Sequence, residues 1–104
     1  MSEKIFSEIE QDLQKHKVLL YMKGSKQMPQ CGFSGQVVHI LEALGVDFET
    51  RNILENPELR QAIKDFSNWP TLPQLYIQGK FIGGCDIVTQ MFETGELQEL
   101  LQSN

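Results

Sequence analysis

The sequence predicts an α/β fold in which a parallel βαβ unit is followed by an antiparallel hairpin. Three observations carry this reading. Val18-Leu19-Leu20-Tyr21-Met22 is a short continuous apolar run, the pattern of a central strand buried on both faces. Val37, Val38, Leu41 and Leu44 then recur at helical spacing, ahead of the polarity-alternating stretch Asp47-Phe48-Glu49-Thr50-Arg51. Finally, Gln74-Leu75-Tyr76-Ile77 and Phe81-Ile82 flank a tight turn at Gln78-Gly79-Lys80.

Each element has a local cause. Ile5, Ile9 and Leu13 stand at i, i+4 and i+8 among charged residues, so the chain opens with an amphipathic helix carrying one apolar stripe. The apolar run makes the first strand, and Lys23 ends it with an ammonium group at the strand's carboxyl end. Gly24-Ser25-Lys26-Gln27-Met28-Pro29-Gln30 is rich in turn residues and leads to Cys31-Gly32-Phe33-Ser34, where a helix begins that stops at Gly45. The stretch from Asp47 to Arg51 reads as a peripheral strand, parallel to the first through a right-handed crossover. Asn56-Pro57 starts the next helix, with Asn as N-cap and Pro in its first turn; Leu59, Ile63 and Phe66 give it a buried face. Asn68-Trp69-Pro70 ends it, and Trp69 and Phe66 are expected in the core. After the hairpin, Gly83-Gly84-Cys85-Asp86 leads into a helix through Ile87, Val88, Met91 and Phe92, with Asp86 the expected N-cap and Gly95 the stop. Leu97, Leu100 and Leu101 form a short terminal helix. No repeat, low-complexity tract or linker interrupts residues 1–104, so one domain is expected.

Composition narrows the function. A net charge of −5 lacks the basic face that nucleic acid requires. No stretch has the length of a membrane span, and Met1-Ser2-Glu3-Lys4-Ile5 has neither a signal-peptide core nor an Arg-rich transit pattern. A cytoplasmic chain is expected, in which Cys31 and Cys85 are reactive or metal-binding thiols rather than a structural bridge. His16 and His39 have no metal-ligand spacing and read as surface residues.

Cys31 organises the chemistry. At a loop-to-helix junction it meets the unpaired N–H groups and positive dipole end of the helix, and both favour a thiolate. A thiolate attacks disulfides and binds metals. In open sheets of this kind, sites lie beyond the carboxyl ends of the strands, where Lys23 and Cys31 both fall. Phe33 and Ser34 occupy places where a second thiol could stand. Ser34 cannot resolve a mixed disulfide, so the dithiol route is closed at that position. Gly83-Gly84 reads either as a strand-to-helix turn or as backbone that lets a ligand come close.

Three motifs in order, MKG before CGFS, then WPT-x-PQ, then GGCD, resemble the monothiol glutaredoxins of the CGFS type, over about Leu19 to Leu97. The ending at Asn104, soon after the last helix, fits the single-domain, bacterial-like form. The resemblance implies a thioredoxin fold: a four-stranded mixed sheet flanked by helices, with Pro73 in cis opposite the cysteine. The element order read from the residues, αβαβαββαα, fits it. The resemblance also implies a glutathione site. In it Cys85 and Asp86 hold the γ-glutamyl end, and Thr71 and Leu72 beside Pro73 pair their backbone with the tripeptide as an added strand. Lys23 and Arg60 are the cations for the glycyl carboxylate, and Lys23 also favours the Cys31 thiolate. For Cys85 itself a structural role outweighs a reactive one, while a Cys31–Cys85 disulfide stays conceivable.

One thiol per chain leaves three functions open. A [2Fe–2S] cluster takes four ligands. Cys31 from each protomer of a homodimer gives two, and two bound glutathione thiols complete the set. A second count takes Cys31 and Cys85 from each chain; the residues leave both counts open, and the resemblance favours glutathione. The first function is therefore a carrier passing clusters to apo iron–sulfur proteins. The second is a glutathione-dependent thiol oxidoreductase acting on glutathionylated substrates. The third is an iron-sensing adaptor working through a BolA-type partner.

Overall fold

The computed structural model describes residues 3–102; Met1-Ser2 and Asn104, on which the readings of the two chain ends partly rest, lie outside them. The order of elements is α1 (Glu3–Lys15), β1 (Val18–Met22), α2 (Gly32–Ala43), β2 (Glu49–Asn52), a 3₁₀ turn (Ile53–Glu55), α3 (Pro57–Ser67), β3 (Gln74–Ile77), β4 (Lys80–Gly83), α4 (Cys85–Thr94) and α5 (Glu96–Gln102). The strands form one sheet in the order β2-β1-β3-β4. β1 pairs in parallel with β2, and antiparallel pairs join β1 to β3 and β3 to β4. This is the mixed four-stranded sheet expected.

β1 is buried at all five positions because both faces of the sheet are covered. Val18, Leu20 and Met22 pack with α2, α4 and α5, alongside Leu41, Val88 and Leu97. Leu19 and Tyr21, pointing the opposite way, pack with Ile9 of α1 and Ile63 of α3. The central strand β1 thus meets two helical layers at once, as its neighbour β3 does through Leu75 and Tyr76.

Several expectations need correction. β2 begins at Glu49 rather than Asp47 and runs through Asn52, since only these residues register with Leu19–Met22. The hairpin turn is Gln78-Gly79, both left-handed in φ (52° and 79°), and Lys80 already belongs to β4. Asp86 is not an N-cap. α4 starts two residues earlier, at Cys85 after Gly84 in extended backbone, which leaves Asp86 in the first turn. Trp69 is not core: it is 37% exposed and its ring leans on Phe81 at 5.7 Å, whereas Phe66 packs inside against Phe6 and Tyr76.

Gly83-Gly84 has an intramolecular reason. At Gly83 (φ +152°) an added Cβ would stand 2.8 Å from the Ile87 Cβ, and at Gly84 3.2 Å from the Pro73 carbonyl oxygen. The close approach is of the chain to itself. Gly83→Ala therefore combines a disfavoured φ with overpacking against a helix that cannot retreat, and is expected to cost about 1–3 kcal/mol in a urea titration. A midpoint equal to wild type would contradict that packing.

Candidate active site

The site begins where β1 ends. The Lys23 N–H donates to the Ser34 hydroxyl at 3.1 Å, so the end of the central strand is tied to the first turn of α2. The Lys23 carbonyl in turn accepts the Gln30 N–H at 2.9 Å. Between them the loop closes on itself through reciprocal Ser25–Met28 backbone bonds of 3.1 and 3.2 Å. Gly24 is required in it: its φ is +93°, and a Cβ would stand 2.5 Å from the Gln30 nitrogen. Two side chains hold the loop from outside. Asn52 accepts the Gly24 N–H at 2.9 Å while also capping the 3₁₀ turn at Leu54. Lys26 donates to the Phe48 carbonyl and sits over the Phe48 ring, 4.2 Å from its centroid.

Cys31, delivered by this loop, is the N-cap of α2, with φ −151° and ψ 135° and a half-exposed side chain. Its thiol is held below the ordinary thiol range, first by the Ser34 backbone N–H. Desolvation, next in weight, opposes this, and the Phe33 N–H, the Lys23 ammonium and the Ser34 hydroxyl add to the lowering. The helix N-terminus thus does what the sequence led one to expect. Phe33, next to it, is 63% exposed.

A groove of about 460 Å³ opens from Cys31. Thr71, Leu72 and Pro73 form one wall, and the Leu72–Pro73 bond is cis. Gly84, Cys85, Asp86 and Ile87, at the start of α4, form the opposite one. Lys23, Arg60 and Lys64 supply three cations along it, and Phe33 and Trp69 supply apolar surface. All eight residues singled out from the sequence — Lys23, Cys31, Arg60, Thr71, Leu72, Pro73, Cys85 and Asp86 — line this one groove. Cys85 and Cys31 are both free thiols, and the Cys85 sulfur lies 3.9 Å from the Thr89 hydroxyl.

Sequence reasoning missed four participants. Lys64 is one turn beyond Arg60, and i,i+4 spacing on α3 could have found it. Trp69 and Ile87 were assigned to packing. Ser34 was read only as an absent thiol, whereas it is fully buried and holds the Lys23 backbone. His16 is half-buried beside Arg51 (3.5 Å) and His39 is exposed; among the described residues no three His, Cys, Asp or Glu side chains converge on a metal position.

Because the thiolate is the reacting form, alkylation of Cys31 is expected to stay fast at a lower pH than alkylation of a free cysteine peptide. Lys23→Met or Ser34→Ala removes a stabilising contact, moves the midpoint upward and slows the reaction at neutral pH roughly two- to tenfold. Peptide mass spectrometry after iodoacetamide pulses reads this directly. A midpoint in the ordinary range for wild type would contradict the geometry.

A family model described as Glutaredoxin matches residues 18–82. The chain is 53% identical over 94 residues to a monothiol glutaredoxin of Synechocystis sp., covering 90% of this chain and 88% of that one. It is 51% identical over 102 residues to a probable monothiol glutaredoxin of Rickettsia typhi, covering 98% and 92%. A chloroplastic monothiol glutaredoxin of rice is 59% identical over 84% of this chain, which spans only 52% of that relative. Among solved structures, reduced apo GrxS14 of poplar superposes with a TM-score of 0.84 at 52% identity, over 94% of this chain and 90% of that one. With the fold, the lone N-capping thiol and these likenesses together, this chain belongs to the glutaredoxin family, among its monothiol members.

Proposed function

We propose that this glutaredoxin binds glutathione in the groove and, as a homodimer, carries a [2Fe–2S] cluster that it passes to apo iron–sulfur proteins. The observation that carries the reading is a single activated thiol at the mouth of a cation-lined groove. Glutathione has two carboxylates, one ammonium and an extended backbone. The cations Lys23, Arg60 and Lys64, one Asp in the first turn of α4 and the Thr71–Leu72 segment match those groups in kind.

Lys23 and Arg60 would hold the glycyl carboxylate, with Lys64 near enough along α3 to share it. The first turn of α4, with Cys85 and Asp86, would take the γ-glutamyl end. The bound tripeptide's thiol then lies beside Cys31. As cargo, the cluster needs four thiolates, and Cys31 supplies one per protomer. Glutathione from each protomer makes up the rest, and such ligands can leave without unfolding the chain. The homodimer, the apo-protein clients, a BolA-type partner that replaces one protomer and a cytoplasmic setting all belong to this proposal.

The half-exposed Cys31 thiolate favours one further reading, removal of glutathione from protein mixed disulfides. Cys31 would attack the glutathione sulfur, and the protein thiolate would leave and take a proton. A second glutathione thiolate would then attack the Cys31 mixed disulfide, releasing glutathione disulfide and regenerating the Cys31 thiolate.

Anaerobic reconstitution with iron, sulfide and glutathione tests the carrier reading. About two irons per dimer, glutathione equal in number to protomers, and loss of visible absorbance in Cys31→Ser are expected. Colourless protein under those conditions removes the carrier reading and puts deglutathionylation first.

A further inference from the structure

Apart from the tyrosines, Ser34 and Gln74 are the polar side chains that the fold buries completely among the described residues. Ser34 acts on Cys31, as described above; Gln74 acts on the other wall. It is the first residue of β3, and its side chain turns back under the Trp69–Pro73 segment. Its Nε2 donates to the Trp69 carbonyl and to the Thr71 carbonyl, both at 3.2 Å. Its Oε1 accepts from the Tyr76 hydroxyl at 3.0 Å. The orientation is forced, since a flipped amide would set its oxygen against two carbonyl oxygens. Burial pushes the Tyr76 phenol up to about 12, so it remains an O–H donor at any physiological pH.

The consequence passes through one peptide plane. In a planar trans peptide the C=O of Thr71 and the N–H of Leu72 point in opposite directions. Holding the carbonyl on the Gln74 amide turns the Leu72 N–H away from the interior. No hydrogen bond among the described residues reaches that N–H, and both residues line the groove.

We propose that Gln74 is a positioning residue for the ligand, fixing the peptide plane of Thr71 and Leu72 so that the Leu72 N–H stands ready for an extended peptide backbone in the groove. This rests on the glutathione reading above. The side chain touches no ligand. It sets the direction of a donor that does.

Calorimetric titration with glutathione on wild type, Gln74→Met and Gln74→Glu tests it, with circular dichroism confirming the fold. Gln74→Met keeps the length of the side chain but no donor. It is expected to bind about tenfold more weakly, the worth of one well-placed hydrogen bond. Gln74→Glu can donate one proton to a carbonyl when protonated and repels both carbonyls when ionised. Its affinity relative to wild type at the same pH should fall as pH rises between about 5 and 8. A purely structural role would move stability without this pH profile. If Gln74→Met fails to fold, Tyr76→Phe takes its place, removing only the O–H that orients the amide, with a smaller loss of affinity expected. Folded variants that bind glutathione within about twofold of wild type, without pH dependence, overturn the proposal. Absence of binding by wild type overturns the glutathione reading itself, a result distinguishable from the first.

Discussion

The bond from the Lys23 N–H to the Ser34 hydroxyl is the constraint on which the site depends. β1 is a strand that both helical layers clamp, so its end is firmly placed. A single part-buried hydrogen bond transfers that rigidity to the first turn of α2, whose N-cap is Cys31. A buried acceptor and donor that satisfy each other cost little, whereas either left alone would cost 1–3 kcal/mol or so. The tie is therefore held by the expense of breaking it. It also brings the Lys23 ammonium into the field of the thiolate.

Ser34 is thus more than the absence of a resolving cysteine. Its backbone N–H is the leading influence on the Cys31 thiol and its hydroxyl anchors the strand. A sulfur there would be a weaker acceptor for the Lys23 N–H. The same residue that closes the dithiol route also holds the remaining thiol in its activated state.

The two walls of the groove are built by the same means. On one side the loop from Gly24 to Gln30 is pinned by Asn52 and Lys26; on the other, the Trp69–Pro73 segment is pinned by Gln74. Each pin is a side chain satisfying backbone groups that regular secondary structure leaves unpaired, which is how irregular segments become rigid enough to bind. Charge follows a similar division. The chain carries −5 overall, yet Lys23, Arg60 and Lys64 collect in the groove with Asp86 as its only carboxylate among the described residues. An anionic ligand is drawn to that place rather than to the surface at large.

The sequence by itself determined the periodic and the chemical parts of this protein. The apolar run of β1, the Asn56-Pro57 start of α3 and the Gly95 stop of α4 are local signals with local causes, and each falls within a residue of its place. The family resemblance carried by the motifs named eight groove residues, Arg60 among them although it lies outside the motifs, and all eight meet at one end of the sheet. What tertiary structure decided were the contacts between segments distant in sequence. Trp69 lies on the groove because the segment after α3 runs along the sheet's end, not into the core. Gly83 is glycine because α4 folds back over it at Ile87. Asp86 entered the first turn of α4 because extended backbone at Gly84 had already capped it. Ser34 and Gln74 look like ordinary polar residues in a string of letters. Only folding shows which buried carbonyl or N–H each must satisfy, because that partner is chosen by geometry and not by sequence distance.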